Sequence, residues 1–281
     1  MPARDMAVRR REEMRSSRRD ILKGGLASLA TVLAGRAAVA GAQEGLSLAV
    51  ASNFRGTMPA LLAAFREHAG DVGRVRVSYG ATGRLYAQIM NGAPHDLFLA
   101  ADAERPRRLE EAGRAVAGTR MTYAIGRLVL FSRDPALVDP YGEVLLRRDV
   151  GPLAIASPRH APYGRAAMET LRHLGQEEAW QGRLVVGENV AQAFHYVASG
   201  AAPLGFVALS GVLESGLSGS QWLVPAAMHA PIRQQAVLLR DKGVARAFLR
   251  FLESDAARFI IQQHGYDLPP PRRQAPAAAG E

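Results

Sequence analysis

The chain has 281 residues, 22% of them charged and 48% apolar, and no cysteine. That composition can bury one large or two medium cores, and it excludes disulfide scaffolds, thiolate metal sites and cysteine nucleophiles. Formal net charge is +9, but nine Lys and Arg against four Asp and Glu lie in residues 1–42, so the remainder is only mildly basic. Its cations are arginines apart from Lys242, scattered singly or in pairs, without the clustered basic face and interleaved aromatics that nucleic acid requires.

Residues 1–42 read as an export signal. Arg9, Arg10, Arg11 and Arg15 lead into Ser17-Arg18-Arg19-Asp20-Ile21-Leu22-Lys23, a weakly apolar run follows from Gly24 to Gly35, and small residues offer cleavage between Gly41 and Gln43. Paired arginines followed by two apolar residues and a lysine resemble the twin-arginine signal of folded proteins crossing the bacterial inner membrane. The apolar run is too short for the ~20 residues that span a bilayer, so a periplasmic protein is expected.

The body alternates strands and helices. Leu46 to Ala51 is an apolar run, and Phe54, Met58, Leu61, Leu62 and Phe65 then recur at helical spacing, with Pro59 tolerable near the first turn. Val75 to Val77 is a strand, Leu85, Ile89 and Met90 suit a short helix, and Asp96 to Ala100 is a strand before a helix over 104–112. Tyr123 to Phe131, with Gly126 inside it, reads as one long strand or two joined ones, where the chain crosses into a second lobe. The stretches 153–157, 162–174, 183–186, 190–199 and 204–208 repeat the strand and helix order. A strand over 234–239 and helices over 244–252 and 256–263 follow, and residues 269–281 have nothing to pack. The order predicts an α/β protein of two Rossmann-like lobes with mainly parallel sheets: residues 43–125 with 231–268 as lobe 1, and 126–230 as lobe 2.

Four strand-to-helix junctions share one layout: Ala51-Ser52-Asn53, Gly80-Ala81-Thr82-Gly83, Ala161-Pro162-Tyr163-Gly164 and Glu188-Asn189-Val190-Ala191. Ligands of open α/β sheets bind beyond the carboxyl ends of the strands, where helix N–H groups and the helix dipole favour an anion. Taken one at a time, an ordinary N-cap or turn accounts for each junction. Gly80 to Gly83 lacks the spacing and lysine of a phosphate loop. The seven histidines show no ligand pair at three- or four-residue spacing, and no Gly-x-Ser-x-Gly elbow is present. Asp96 and Asp102 flank the strand at 97–101 as an acid pair, although a helix cap explains Asp102 equally well. An enzyme using them or Ser157 is the remote alternative.

Tyr79-Gly80-Ala81-Thr82-Gly83 running into Tyr86-Ala87-Gln88-Ile89, then Asn91-Gly92-Ala93-Pro94-His95-Asp96-Leu97-Phe98, resemble the periplasmic molybdate-binding proteins of ABC transporters. Ala161-Pro162-Tyr163-Gly164 and Leu204-Gly205-Phe206-Val207-Ala208 continue the likeness, which covers about residues 46–268. It implies a type II periplasmic binding fold that closes on a tetrahedral oxyanion between two lobes and presents it to a membrane permease, with no cofactor and no catalysis. The family's donors after the first strand fall on Ser52 and Asn53, its second-helix serine on Thr82, a tyrosine of some members on Tyr163, and its main-chain donor on Val190 beside Asn189. Ala208 stands where other members donate from a tyrosine, so the resemblance implies the Tyr163 form of the site. The expected ligand is molybdate or tungstate, with sulfate, thiosulfate or a phosphonate as alternatives, and the expected state is a monomer.

Overall fold

The computed structural model describes residues 45–270. The export signal at 1–42 and the tail from 271 lie outside the described residues.

Strand β1 (Leu46–Ala51) is buried along its whole length, as a parallel strand covered on both faces must be, and its sequence is accordingly apolar and small. It pairs in parallel with β2 (Val75–Gly80) and β3 (Leu97–Ala100). Strands β10 (Ile232–Leu238) and β4 (Met121–Gly126) complete a sheet of order β2-β1-β3-β10-β4, with β10 antiparallel to both neighbours. The second sheet has the order β7-β6-β8-β5-β9, formed by β5 (Leu128–Ser132), β6 (Leu153–Ala156), β7 (Leu184–Gly187), β8 (Leu204–Ala208) and β9 (Ser220–Leu223). Here β5 runs against β8 and β9, while β6, β7 and β8 are parallel. Each sheet therefore has one strand, fourth in the order, opposed to the other four. This is the mainly parallel two-sheet α/β architecture that the alternation of elements predicts.

The apolar stretch around Tyr123 to Phe131 is two strands, not one. Strand β4 belongs to the first sheet and β5 to the second, with only Arg127 between them. The return crossing runs from β9 to β10. Helices pack on both sheets: α1 (Thr57–Ala69), α2 (Thr82–Met90), α3 (Glu104–Glu111), α4 (Pro162–His173), α5 (Glu177–Trp180), α6 (Val190–Ala198), α7 (Leu209–Ser215), α8 (Gly243–Phe251) and α9 (Asp255–Gln263). Helix α1 begins three residues after Phe54, because Ser52–Phe54 form a 3-10 turn directly after β1. Pro162 occupies the first turn of α4, where its missing N–H costs nothing. Helices α5 and α7 and strand β9 have no counterpart in the sequence expectations.

Four apolar clusters cover the sheets, and of the two largest one lies on the first sheet and one on the second. In the first, Phe65 of α1 meets Phe248 at 5.0 Å and Phe251 at 5.4 Å, and Phe54 stands edge-on to Tyr123 at 5.1 Å. In the second, Trp180 is fully buried and donates its indole N–H to the Leu145 carbonyl at 2.9 Å. Burying one such aromatic side chain contributes about 1.5–3 kcal/mol.

Candidate functional site at the facing strand ends

One apolar cluster, the main core of the second sheet, extends to junction residues of both sheets. Ala51 ends β1, Ala81 follows β2 and Ala101 follows β3; across from them stand Ala161, Tyr163, Val190 and Ala208. The carboxyl ends of the parallel strands in both sheets thus face one another, separated by small side chains. Such ends bring helix N-termini and their free N–H groups to one place.

Each candidate donor has a definite setting there. Ser52 and Asn53 are buried in the 3-10 turn and line, with Val190 and Ala208, a cavity of about 320 Å³. Arg55 and Glu214 also border it. Thr82 and Tyr163 lie outside that lining but are buried in the same junction region. Thr82 Oγ1 accepts the Ala101 N–H at 3.0 Å, which leaves its own proton to donate. The Tyr163 oxygen accepts from Gln234 Nε2 at 3.3 Å. Burial pushes the Tyr163 and Tyr123 hydroxyls well above the ordinary tyrosine range, so both stay protonated.

Two side chains have other work. Asn53 Nδ2 donates to Gln234 Oε1 at 2.9 Å and to the Tyr266 hydroxyl at 3.0 Å, so both amide protons are engaged inside the protein. The Asn53 side chain is therefore not the free amide donor expected of it; only its main-chain N–H is available. Asn189 Oδ1 accepts the N–H groups of Ala191 at 3.0 Å and Gln192 at 3.1 Å, and its carbonyl accepts that of Ala193 at 3.1 Å. Asn189 is the cap of α6, and the cap leaves the Val190 N–H as the first-turn donor it does not take.

Several contacts join the two sides of the cleft. Gly83 N–H donates to the His160 carbonyl at 2.8 Å. Arg165 pairs with Asp102 and Glu104, both at 3.2 Å, and its hydrogen bond holds the Glu104 carboxyl below the usual carboxylate range. The exposed pair Arg84 and Glu188 closes at 2.7 Å. Ser210 donates to the Asn53 carbonyl at 3.0 Å. The acids weighed as a catalytic pair are otherwise engaged. Asp102 accepts the Arg105 N–H at 3.1 Å and also pairs with the Arg105 guanidinium. Asp96 accepts the Ser47 N–H at 2.8 Å and pairs with Lys242 at 3.1 Å. Among the described residues no group of three or more His, Asp or Glu could hold a metal ion.

Sequence reasoning missed the polar layer beneath the junctions: Gln234, Tyr123, Tyr266 and Ser210. One signal was present. Gln234-Gln235 interrupts β10, whose following residues Ala236, Val237 and Leu238 are fully buried.

The profile of the bacterial extracellular solute-binding protein family matches residues 46–267. The molybdate-binding protein ModA of Azotobacter vinelandii is 44% identical over 240 residues, spanning 84% of this chain and 94% of its own length. That of Rhodobacter capsulatus is 44% identical over 248 residues, spanning 87% and 96%. The solved periplasmic molybdate-binding protein of Azotobacter vinelandii superposes with a TM-score of 0.76 at 41% identity, covering 80% of this chain and all of that one. These relatives are named for binding molybdate, and they resemble this chain along nearly their full lengths. The chain belongs to the bacterial extracellular solute-binding protein family.

Proposed function

We propose that this protein captures molybdate in the periplasm, and tungstate of nearly the same shape, and delivers it as a monomer to the permease of an ABC transporter. One observation supports the reading above others: uncharged polar residues follow strand ends that face each other across two sheets, in a chain 44% identical to proteins named for binding molybdate. Ser52, the Asn53 main chain and Thr82 serve from one lobe, residues 43–125 with 231–268; Tyr163 and the Val190 N–H serve from the other, residues 126–230. Asn189 acts indirectly, by capping α6. Residues 1–42 direct export by the twin-arginine route.

A neutral-donor site suits a doubly negative tetrahedral anion. Each hydrogen bond to a charged acceptor contributes about 1.5–3 kcal/mol, so loss of one donor costs about ten- to hundredfold in affinity. Because donors come from both lobes, the anion stabilises only the closed arrangement, and the permease reads that population. Cavity size separates molybdate and tungstate from the smaller sulfate more readily than from each other.

The test is a thermal-shift and calorimetric panel of the mature protein with molybdate, tungstate, sulfate, thiosulfate and phosphate. Molybdate and tungstate are expected to raise the melting temperature by mass action. Sulfate or phosphate binding as tightly as molybdate removes the reading.

A further inference from the structure

Arg165 stands at the end of the first turn of α4, three residues after Pro162. Its guanidinium reaches the far end of the first sheet. Nη2 meets Asp102, just after β3, at 3.2 Å, and Nη1 meets Glu104, the first residue of α3, at 3.2 Å. Two further contacts flank this link. Arg105 Nη2 donates to the Arg159 carbonyl at 3.2 Å, again from the β3–α3 corner to the segment between β6 and α4. One turn along α4, Glu169 Oε2 accepts the Ala230 N–H at 2.8 Å, on the return crossing between the sheets. Residues four apart share a helix face, and Arg165 and Glu169 border, with Asp102 and Glu104, one cavity of about 230 Å³.

The two acids and the arginine are differently provided for. Asp102 also pairs with Arg105, and Glu104 with Arg108 at 2.7 Å, so each carboxylate has a cation on its own segment. Arg165 has both of its ion pairs across the cleft. The distinction matters because Asp102 is buried, and a buried carboxylate left without a partner is strongly destabilising. Arg105 prevents that if the sheets part. The group released is then Arg165, whose side chain is already 39% exposed and rehydrates readily. The hydrogen bond from Arg165 also lowers the Glu104 carboxyl below its ordinary range, so that partner stays charged. Such a link favours the joined arrangement without locking it.

We propose that Arg165 is a latch between the two lobes and sets how long a captured oxyanion is retained. It is a positioning residue, since its partners are carboxylates of the facing lobe. The proposal rests on the binding reading above in that the anion lies between the lobes. An anion enters while the lobes are apart and leaves when they part again, so a latch acts on release and leaves association almost unchanged. The latch itself needs no ligand, and it acts in the empty protein as well.

The test is stopped-flow measurement of release and association for Arg165→Gln, with whichever oxyanion of the panel binds most tightly. Release is expected to quicken about fivefold, as two partly exposed ion pairs warrant, with association within about twofold of the parent. Arg165→Lys keeps the charge but not the fork, and is expected to recover part of the loss. A lower melting temperature with unchanged release marks a merely structural role and overturns the proposal. Should Arg165→Gln fail to fold, Glu104→Gln removes one of the two pairs and is expected to quicken release about twofold; no change again overturns it. Lobe separation is read in the ligand-free protein. The chain has no cysteine, so spin labels attach only at Gln88→Cys on α2 and His195→Cys on α6, both exposed. Arg165→Gln is expected to shift that pair toward longer separations, and an unchanged distribution overturns the latch. A parent that binds none of the oxyanions removes the binding reading and the retention role with it, while the ligand-free distances still decide whether Arg165 joins the lobes.

Discussion

Helices α2 and α6 begin at equivalent places on the two sheets, yet their first-turn N–H groups are satisfied in different ways. Asn189 caps α6 from within its own segment, taking two N–H groups on one side-chain oxygen. Helix α2 starts behind Ala81, which has no side-chain acceptor, and the N–H of Gly83 is taken by the His160 carbonyl of the facing lobe. One terminus is completed locally and the other by a carbonyl of the facing sheet's segment. The order of α6 is thus independent of the partner lobe, while a first-turn contact of α2 exists only when the two lobes meet.

Three substitutions sharpen that contrast. Gly83→Ala has the largest expected effect. Its Cβ would stand 3.0 Å from the His160 oxygen and 3.1 Å from the His160 Cα, closer than ordinary contact, so it opposes closure while favouring the helix itself. Oxyanion affinity is expected to fall about tenfold with no drop in the melting temperature of the ligand-free protein. A lower ligand-free melting temperature with unchanged affinity would break the comparison. Asn189→Ala acts the other way. Loss of the cap costs about 1 kcal/mol, read as a melting temperature lower by about 2–4 °C, with affinity changed less than about threefold. Arg84→Gln should do least. Its partner Glu188 and Arg84 itself are more than half exposed, and exposed pairs contribute about 0–1 kcal/mol. Affinity measured at physiological salt is expected to stay within about twofold.

The alternation of strands and helices was legible because parallel strands buried on both faces read as apolar runs, as β1 does from Leu46 to Ala51. The division of the stretch from Met121 to Ser132 between two sheets was only partly legible. Arg127 is the single residue between β4 and β5, and periodicity has no means of marking a change of partner. The four junctions were recognisable from small polar residues after apolar runs. What each of those residues does was not, because Asn53 and Asn189 have the same side chain in similar positions. Asn189 turns to residues two and three further on, while Asn53 turns to Gln234 and Tyr266, about two hundred residues away.

Sequence alone therefore determined most of the strand and helix order, the two-lobed α/β class and the four strand-to-helix junctions, since propensity, periodicity and capping act over a few residues. Tertiary structure decided which donors are already engaged within the protein. It also decided how Tyr266, Asn53, Gln234 and Tyr163 share their protons. Hydrogen-bond polarity in a buried network depends on partners brought together from distant parts of the chain, and no local pattern records which of them will meet.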